Sequence, residues 1–536
     1  MKKYSLLIVT ILLCLTAGAV MICASTLPSM ERAAVGAHFL TEKSYGKEIS
    51  GKDRIAFDPA AVQIEGMAAP CDAETGTFYI PLQRGEDRWD YLLRASDRDA
   101  QIYILDDAGA AEGNMQKCVA EGHSFGAAVV GGRTCMEAHI VFTSLPAAVI
   151  SHRDGEIKGE EEHLGEICVF DPERGKFIQT PCSFHMRGNT SVLFDKKSYR
   201  VELHDEAGNN RKENLLGLRK DDDWILNSLS TDCTLAREKV CYELWERLNL
   251  VEEEPVPAPK AEYCEVFIND RYMGVYGLMF PVDRKLLELS PGDILYKMKI
   301  WREELTAKGR FTEHNGEEEI LNENGFAYAT IEYPKSGEGS LIWDPLQIYQ
   351  DFVFETHDLS TLEKNRISID RENFILHELF CEMARAADNT WKNLFLTARY
   401  DRRGGYVLSE TIWDLNYTFG DVFTWDPDRG NTVFDAAGSR SYKLRYDRDY
   451  GFAALEAADP RIREEAAAKW KKWRQEGIGP DFIIGLFREE KKELDLSGAM
   501  KRDCERWDRA MPSDEYCERL EKWIAERFLF LDNMYQ

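Results

Sequence analysis

The chain has 536 residues, 44% of them hydrophobic, and carries 67 Lys and Arg against 94 Asp and Glu, a net charge of −27. This is ordinary globular composition, with chain enough for more than one core. The acidic balance argues against non-specific binding to nucleic acid or anionic lipid and fits a soluble protein that handles basic partners.

Lys2 and Lys3 precede an apolar run over residues 6–23, and small residues follow at Ala24 and Ser25. A basic start, an apolar centre and a small-residue end read as a secretory signal with cleavage after Ala24. The run is also long enough to stay in the bilayer as an anchor, and both readings remain open. Leu13 and Ile22 precede Cys14 and Cys23, where a lipobox needs a small residue. Later stretches are too short or too polar to span a bilayer, so export with at most an N-terminal anchor is expected. Of thirteen cysteines, eleven lie beyond Cys23, with no Cys-x-x-Cys pair and no Cys/His cluster. That spacing argues against a zinc site. Buried thiols are expected for most, with room for one or two disulfides in an oxidising compartment.

Residues 25–138 form a first region. Short strand-like runs at 77–80 and 100–105 are broken by Gly- and Asp-rich turns, which predicts a small β-rich domain without a chemical motif. From His139 the texture changes, and strands are expected at 140–142, 148–150, 166–170 and 198–203. Val240, Leu244 and Leu248 recur at helix spacing within 235–250, and an acidic, Pro-containing linker follows at 252–259. Residues 265–268 and 273–276, joined through Asn269-Asp270, predict a β-hairpin. Phe374, Leu376, Leu379, Phe380 and Met383 line one face of a helix over 372–387, and short strands are expected at 394–396 and 406–408. The end, from 461 onward, is charged and helical with a break at 477–480; its Trp523, Phe528 and Phe530 read as core. Strands, a hairpin, then helices predict an α+β fold with a mostly antiparallel sheet and a helical C-terminal part.

Three segments carry chemistry. Arg187-Gly188-Asn189-Thr190-Ser191 is followed by Lys196-Lys197-Ser198-Tyr199. Small residues between two strands let backbone N–H groups approach a phosphate, and a lysine after the turn can neutralise its oxygens. A surface strand-turn-strand looks the same. Asp388-Asn389-Thr390-Trp391-Lys392-Asn393 sits between the helix and a strand. The five-residue spacing of Asp388 and Asn393 is that of a kinase catalytic loop, where Asp takes the hydroxyl proton and Asn holds magnesium. Asp414, in Trp413-Asp414-Leu415-Asn416, follows a strand downstream of that loop, the position of a metal-binding aspartate. Magnesium takes carboxylate and phosphate oxygens and keeps several waters, so one Asp and one Asn suffice.

These segments stand in kinase order. With Leu216-Gly217-Leu218, Trp224-Ile225-Leu226, Asp232, Arg237 and residues 269–276 between them, the chain from about residue 139 to its end resembles the CotH kinase family. The resemblance implies a minimal protein-kinase-like fold over 139–536, preceded by the β-rich region. It implies transfer of the ATP γ-phosphate, with Mg2+ or Mn2+, to serine of a coat or surface protein, an acceptor rich in Ser and Lys. By the same resemblance Asp388 is the catalytic residue, and Asn393 and Asp414 hold metal. Arg187, Gly188, Asn189, Thr190 and Ser191 form the phosphate-side turn. Lys197, in preference to Lys196, faces the phosphates. Arg237 contacts the phosphates or makes a structural ion pair. The chain departs from the family pattern at Phe280-Pro281, where a Glu is usual near the nucleotide edge, at Asp270 in the hairpin turn and at Asn416. The competing readings are a non-catalytic coat or surface assembly protein on a kinase-like scaffold, and a carboxylate enzyme acting on polysaccharide, suggested by acidity and 12 tryptophans.

Overall fold

The computed structural model describes residues 37–153, 155–159, 161–188, 194–252, 256–299, 319–321, 327–335, 342–386, 388–421, 436 and 450–535. The apolar run at 6–23 lies outside them. Among the described residues no helix is long and apolar enough to cross a membrane. Among the described residues the eleven cysteines form no disulfide, and eight of them are buried.

The chain divides into two compact units, one up to Leu145 with Phe170–Ile178, the other Pro146–Val169 with Gln179–Gln536. The division falls after Thr134–Thr143, so the strand containing His139 lies whole in the first unit. Its apolar alternation continues the earlier strands, which is why composition alone does not mark the edge.

The first unit has a seven-stranded mixed sheet. Ala37–Leu40, Gln101–Leu105, Ser124–Val130, Thr134–Thr143, Thr77–Pro81 and Cys71–Asp72 lie side by side in that order, and Asp53–Ile55 also pairs with Thr134–Thr143. Two short helices, Glu42–Ile49 and Met115–Glu121, accompany it. The Phe125 and Phe142 rings, both buried, pack edge to face in its core.

Most of a closed barrel lies in the second unit. Its strands are β1 (Ala147–His152), β2 (His163–Asp171), β3 (Lys176–Arg187), β4 (Ser198–Leu203), β5 (Asp223–Asn227), β6 (Ala261–Ile268) and β7 (Tyr272–Met279), ordered β1-β2-β3-β4-β5-β7-β6. Parallel pairing of Ala147–Ile150 with Glu265–Ile268 closes it, and closure leaves no exposed edge. Asn269 and Asp270 turn the β6–β7 hairpin at φ +48° and +58°, a left-handed geometry that Asn and Asp tolerate. Helix α1 (Arg237–Glu252) crosses from β5 to β6 with Val240, Leu244 and Leu248 fully buried.

A six-stranded sheet follows, of which the sequence pattern announced only the two strands at 394–396 and 406–408. Its strands are β8 (Ile294–Met298), β9 (Glu319–Leu321), β10 (Ala327–Tyr333), β11 (Ile367–Ile369), β12 (Phe395–Asp401) and β13 (Gly405–Thr411), ordered β9-β10-β8-β12-β13-β11. Helix α2 (Arg371–Ala384) precedes β12. It is capped by the Asp370 side chain, which accepts from Asn373 N–H, and it ends on left-handed Arg385. The chain closes with α3 (Arg461–Gln475), α4 (Pro480–Leu496), α5 (Ala499–Arg506) and α6 (Asp514–Met534). Pro480 at the first position of α4 explains the break. Trp523 and Phe528 are buried as expected, and Phe530 packs against the same core. The architecture is mixed α+β, and most strand pairs of this unit are antiparallel.

Candidate functional site

Helix α2 delivers the first carboxylate. After Arg385 stops the helix, Ala386 N–H bonds back to Cys381 O and the chain turns into Asp388. Asp388 is buried, and its Oδ2 accepts from Asn393 Nδ2 at 2.9 Å and from Lys392 Nζ at 3.2 Å. The loop is fastened on two sides. Asn389 Nδ2 donates to Trp413 O at 2.5 Å, and Asn393 N–H donates to Met298 O at 3.1 Å. The segment carrying Asp388 is thus tied to the segment carrying Asp414 and to strand β8.

Asn393 and Asp414 both adopt left-handed backbone, at φ +56° and +58°. Side chains other than Gly, Asn and Asp reach this region at a cost. Among the described residues, the Asp414 carboxylate and the Asn393 amide oxygen accept no hydrogen bond and Asp414 makes no ion pair within 4.0 Å. A carboxylate and a neutral oxygen left without partners beside each other's loops are the donor types magnesium takes, so these residues fit a divalent ion. No group of three or more His, Cys, Asp or Glu is placed to hold a metal among the described residues, so the fit rests on this Asp–Asn pair.

The electrostatics tie the groups together. Burial pushes the Asp388 carboxyl up to about 6; Lys392 opposes that rise and the nearby Asp414 carboxylate adds to it. A third carboxylate, Glu238, enters from the first turn of α1. Burial and Asp414 push it up to about 7, against hydrogen bonds from Tyr242 Oη, at 2.7 Å, and Asn227. Burial pulls the Arg187 guanidinium down, opposed by Asp414 and Glu238. Arg187 stands at the end of β3, paired with Ser198, so residues 188–197 connect β3 to β4 at this place. Gly188 follows at φ +117°, where an L side chain is strained. Asn189, Thr190 and Ser191 lie outside the described residues.

The structure therefore brings Asp388, Asn393, Asp414 and Arg187 into one group, while Lys196, Lys197 and Arg237 are engaged by groups of the protein itself. Lys196 is buried against Asp503. Lys197 donates to Phe194 O within its own turn. Of the two readings open for Arg237, the geometry favours the structural ion pair over the phosphate contact. It is wholly buried, with Nε on Thr418 O at 2.9 Å, Nη2 on Tyr516 Oη at 2.7 Å and Nη1 on Asp232. A guanidinium with every edge engaged has nothing left for a ligand. Asn416 Nδ2 donates to Thr231 Oγ1 at 2.6 Å, so the departure at this position serves a contact between segments.

Two residues of the group were not found from sequence. Glu238 sits beside Arg237 and was hidden by it. Lys297 is the one charged residue in the strand Ile294-Leu295-Tyr296-Lys297-Met298, a signal legible only once that run is known to be a strand. Its ammonium lies 5.4 Å from the Phe395 ring centre and 5.5 Å from that of Trp413.

A loop aspartate held by an asparagine five residues on, with a second aspartate following the next hairpin, is the order in which kinases set their catalytic and metal-binding residues. The family model described as CotH kinase protein matches residues 184–531, well over half of the chain, and the chain belongs to that family. None of the curated proteins matches it.

Proposed function

We propose that the second unit is a protein kinase that moves the γ-phosphate of ATP to a serine hydroxyl. The observation that carries this reading is the Asp388–Asn393 hydrogen bond beside an unpartnered Asp414. Asp388 has one oxygen held by Asn393 and Lys392, which leaves the other to accept the serine proton. A carboxyl that titrates near 6 is largely ionised at neutral pH and still basic enough to take that proton. Asn393, through its amide oxygen, and Asp414 would hold the divalent ion, which when bound neutralises phosphate oxygens. Net charge −27 supports a basic acceptor, such as a Ser/Lys-rich coat or surface protein, and the basic start with its apolar run within 1–24, signal or anchor, supports export.

A kinase-shaped scaffold without catalysis is the competing reading, and Phe280 is what favours it. Where the resemblance expects a nucleotide-edge carboxylate, Phe280 is buried with the Arg219 guanidinium 4.2 Å from its ring centre. One experiment separates the two: phosphate incorporation from labelled ATP into a Ser/Lys-rich peptide, with Mg2+ or Mn2+. Wild type is expected to incorporate phosphate, and Asp388→Ala and Asp414→Ala to lose at least about 100-fold. Equal incorporation by both variants sinks the assignment, and no incorporation together with no nucleotide-induced rise in melting temperature supports the scaffold.

A further inference from the structure

Lys297 and Arg187 both lie against the Trp413 ring. Each cation lies 5.5 Å from the Trp413 ring centre, one delivered by strand β8 of the sheet and the other by strand β3 of the barrel. Among the described residues neither makes a hydrogen bond or an ion pair within 4.0 Å; the ring contacts are what holds them. The nearest acid on the sheet does not meet this need. Lys297 pairs in register with Thr330, and Glu332, two residues along, is already bonded by Thr330 Oγ1 and Lys335 Nζ, each at 3.0 Å. Burial and the repulsion of Arg187 pull the Lys297 ammonium down to about 8.

Two like charges brought together, half-buried and without acceptors, destabilise a fold. Cation–π contact returns only a small part of the lost hydration. Glu332, Asp414 and Glu238 offset part of that cost without touching either cation; an anion with several oxygens would meet the rest, and the carboxylate next in the chain, Asp414, is the group expected to hold a metal on that anion. Resting on the kinase reading for the identity of the ligand, we propose that Lys297, with Arg187, binds the polyphosphate of the nucleotide over Trp413. The lysine contributing to phosphate binding comes from the second sheet, in place of the lysines that follow the β3–β4 turn. Lys297 is then a residue that touches substrate.

The test is equilibrium binding to the full chain of three probes: ATP, inorganic tripolyphosphate and adenosine, each with and without Mg2+. Lys297→Met and Arg187→Met are expected to weaken ATP and tripolyphosphate by about 10- to 100-fold and to leave adenosine unchanged. Lys297→Arg, which keeps the charge, is expected to retain most of the affinity. Lys297→Met is also expected to melt no lower than wild type, because it removes a half-buried charge that no hydrogen bond or ion pair within 4.0 Å holds, Glu332 acting on it only at a distance. Undiminished tripolyphosphate binding by Lys297→Met overturns the proposal and leaves the kinase reading standing. Loss of all three probes with a lowered melting temperature assigns Lys297 a structural role and overturns it as well. Wild type that binds tripolyphosphate but gains nothing from the adenosine moiety supports the cationic site while removing the nucleotide reading.

Discussion

Lys196 and Asp503, 307 residues apart, form an ion pair that is almost wholly buried, with Nζ 2.5 Å from Oδ1. The same oxygen accepts Val275 N–H at 2.8 Å, and the other oxygen is paired with Arg509. The carboxylate on α5 thereby clasps the barrel strand β7 and the segment leading into β4. Removing one partner of a buried pair leaves the other charge uncompensated, which costs about 3–5 kcal/mol. Asp503→Ala strands Lys196 and is expected to lose that much in denaturant unfolding. Lys196→Met leaves Asp503 with Arg509 and Val275 and is expected to lose clearly less. Equal losses in the two variants would contradict this account of the clasp.

Gly274 belongs to the same clasp. It stands at φ +93°, and a Cβ there would overlap the Asp503 carboxylate and come within 3.1 Å of Trp507 Nε1. Gly274→Ala therefore meets both backbone strain and a side chain fixed by three hydrogen-bonding partners. A destabilisation above about 2 kcal/mol is expected in denaturant unfolding. In the Asp503→Ala background most of the steric part should vanish, because the obstructing carboxylate is gone. A double variant whose losses simply add would show that strain alone governs the position.

Elements whose own residues specify them were legible in the sequence. Ser198–Leu203 alternates, α2 carries an apolar face and a capping Asp370, and the β6–β7 hairpin has Asn269-Asp270 at its turn. Of the sheet built on β8, only β12 and β13 were legible; the other four strands were not. Its strands are short, Lys297 interrupts the apolar run, and what makes them strands is pairing with partners as distant as Phe395. The same division runs through the site. Asp388 and Asn393 are close in sequence, so their spacing carried the reading. Asp503 and Lys297 acquire meaning only from neighbours about 300 and 100 residues away. Arg237 shows why two readings stayed open: a resemblance transmits residue type but not surroundings, and its surroundings are Thr418, Tyr516 and Asp232.

Arg237 thus makes its own prediction. Its guanidinium reaches three partners in different directions, which the single ammonium of lysine cannot reproduce. Arg237→Lys is expected to lower stability by at least about 2 kcal/mol in denaturant unfolding, since hydrogen bonds to a buried charge are lost. The Kd for ATP of the folded variant should stay within about threefold of wild type, a shift below 1 kcal/mol. A variant of unchanged stability that loses ATP affinity would return Arg237 to the phosphates.

Asp388 links function to stability through pH. In the metal-free protein its folded pKa is about 6, against an ordinary 3.8 in the unfolded chain. Between those values the folded chain holds a proton that the unfolded chain has released, so stability falls as pH rises through the window. Below about 3.8 the penalty is absent, and above about 6 it is fully present. About two pKa units correspond to about 3 kcal/mol. Asp388→Asn cannot ionise, and its amide oxygen can still accept from Asn393 and Lys392. The difference in unfolding free energy between Asp388→Asn and wild type should therefore be small at pH 4 and grow toward about 3 kcal/mol in favour of the variant by pH 7. Denaturant unfolding in EDTA at several pH values measures it, beside a phosphorylation assay in which the same variant is inactive. A difference that does not change with pH would mean that burial does not raise Asp388, and with it the argument that this carboxyl is poised as a base would fall.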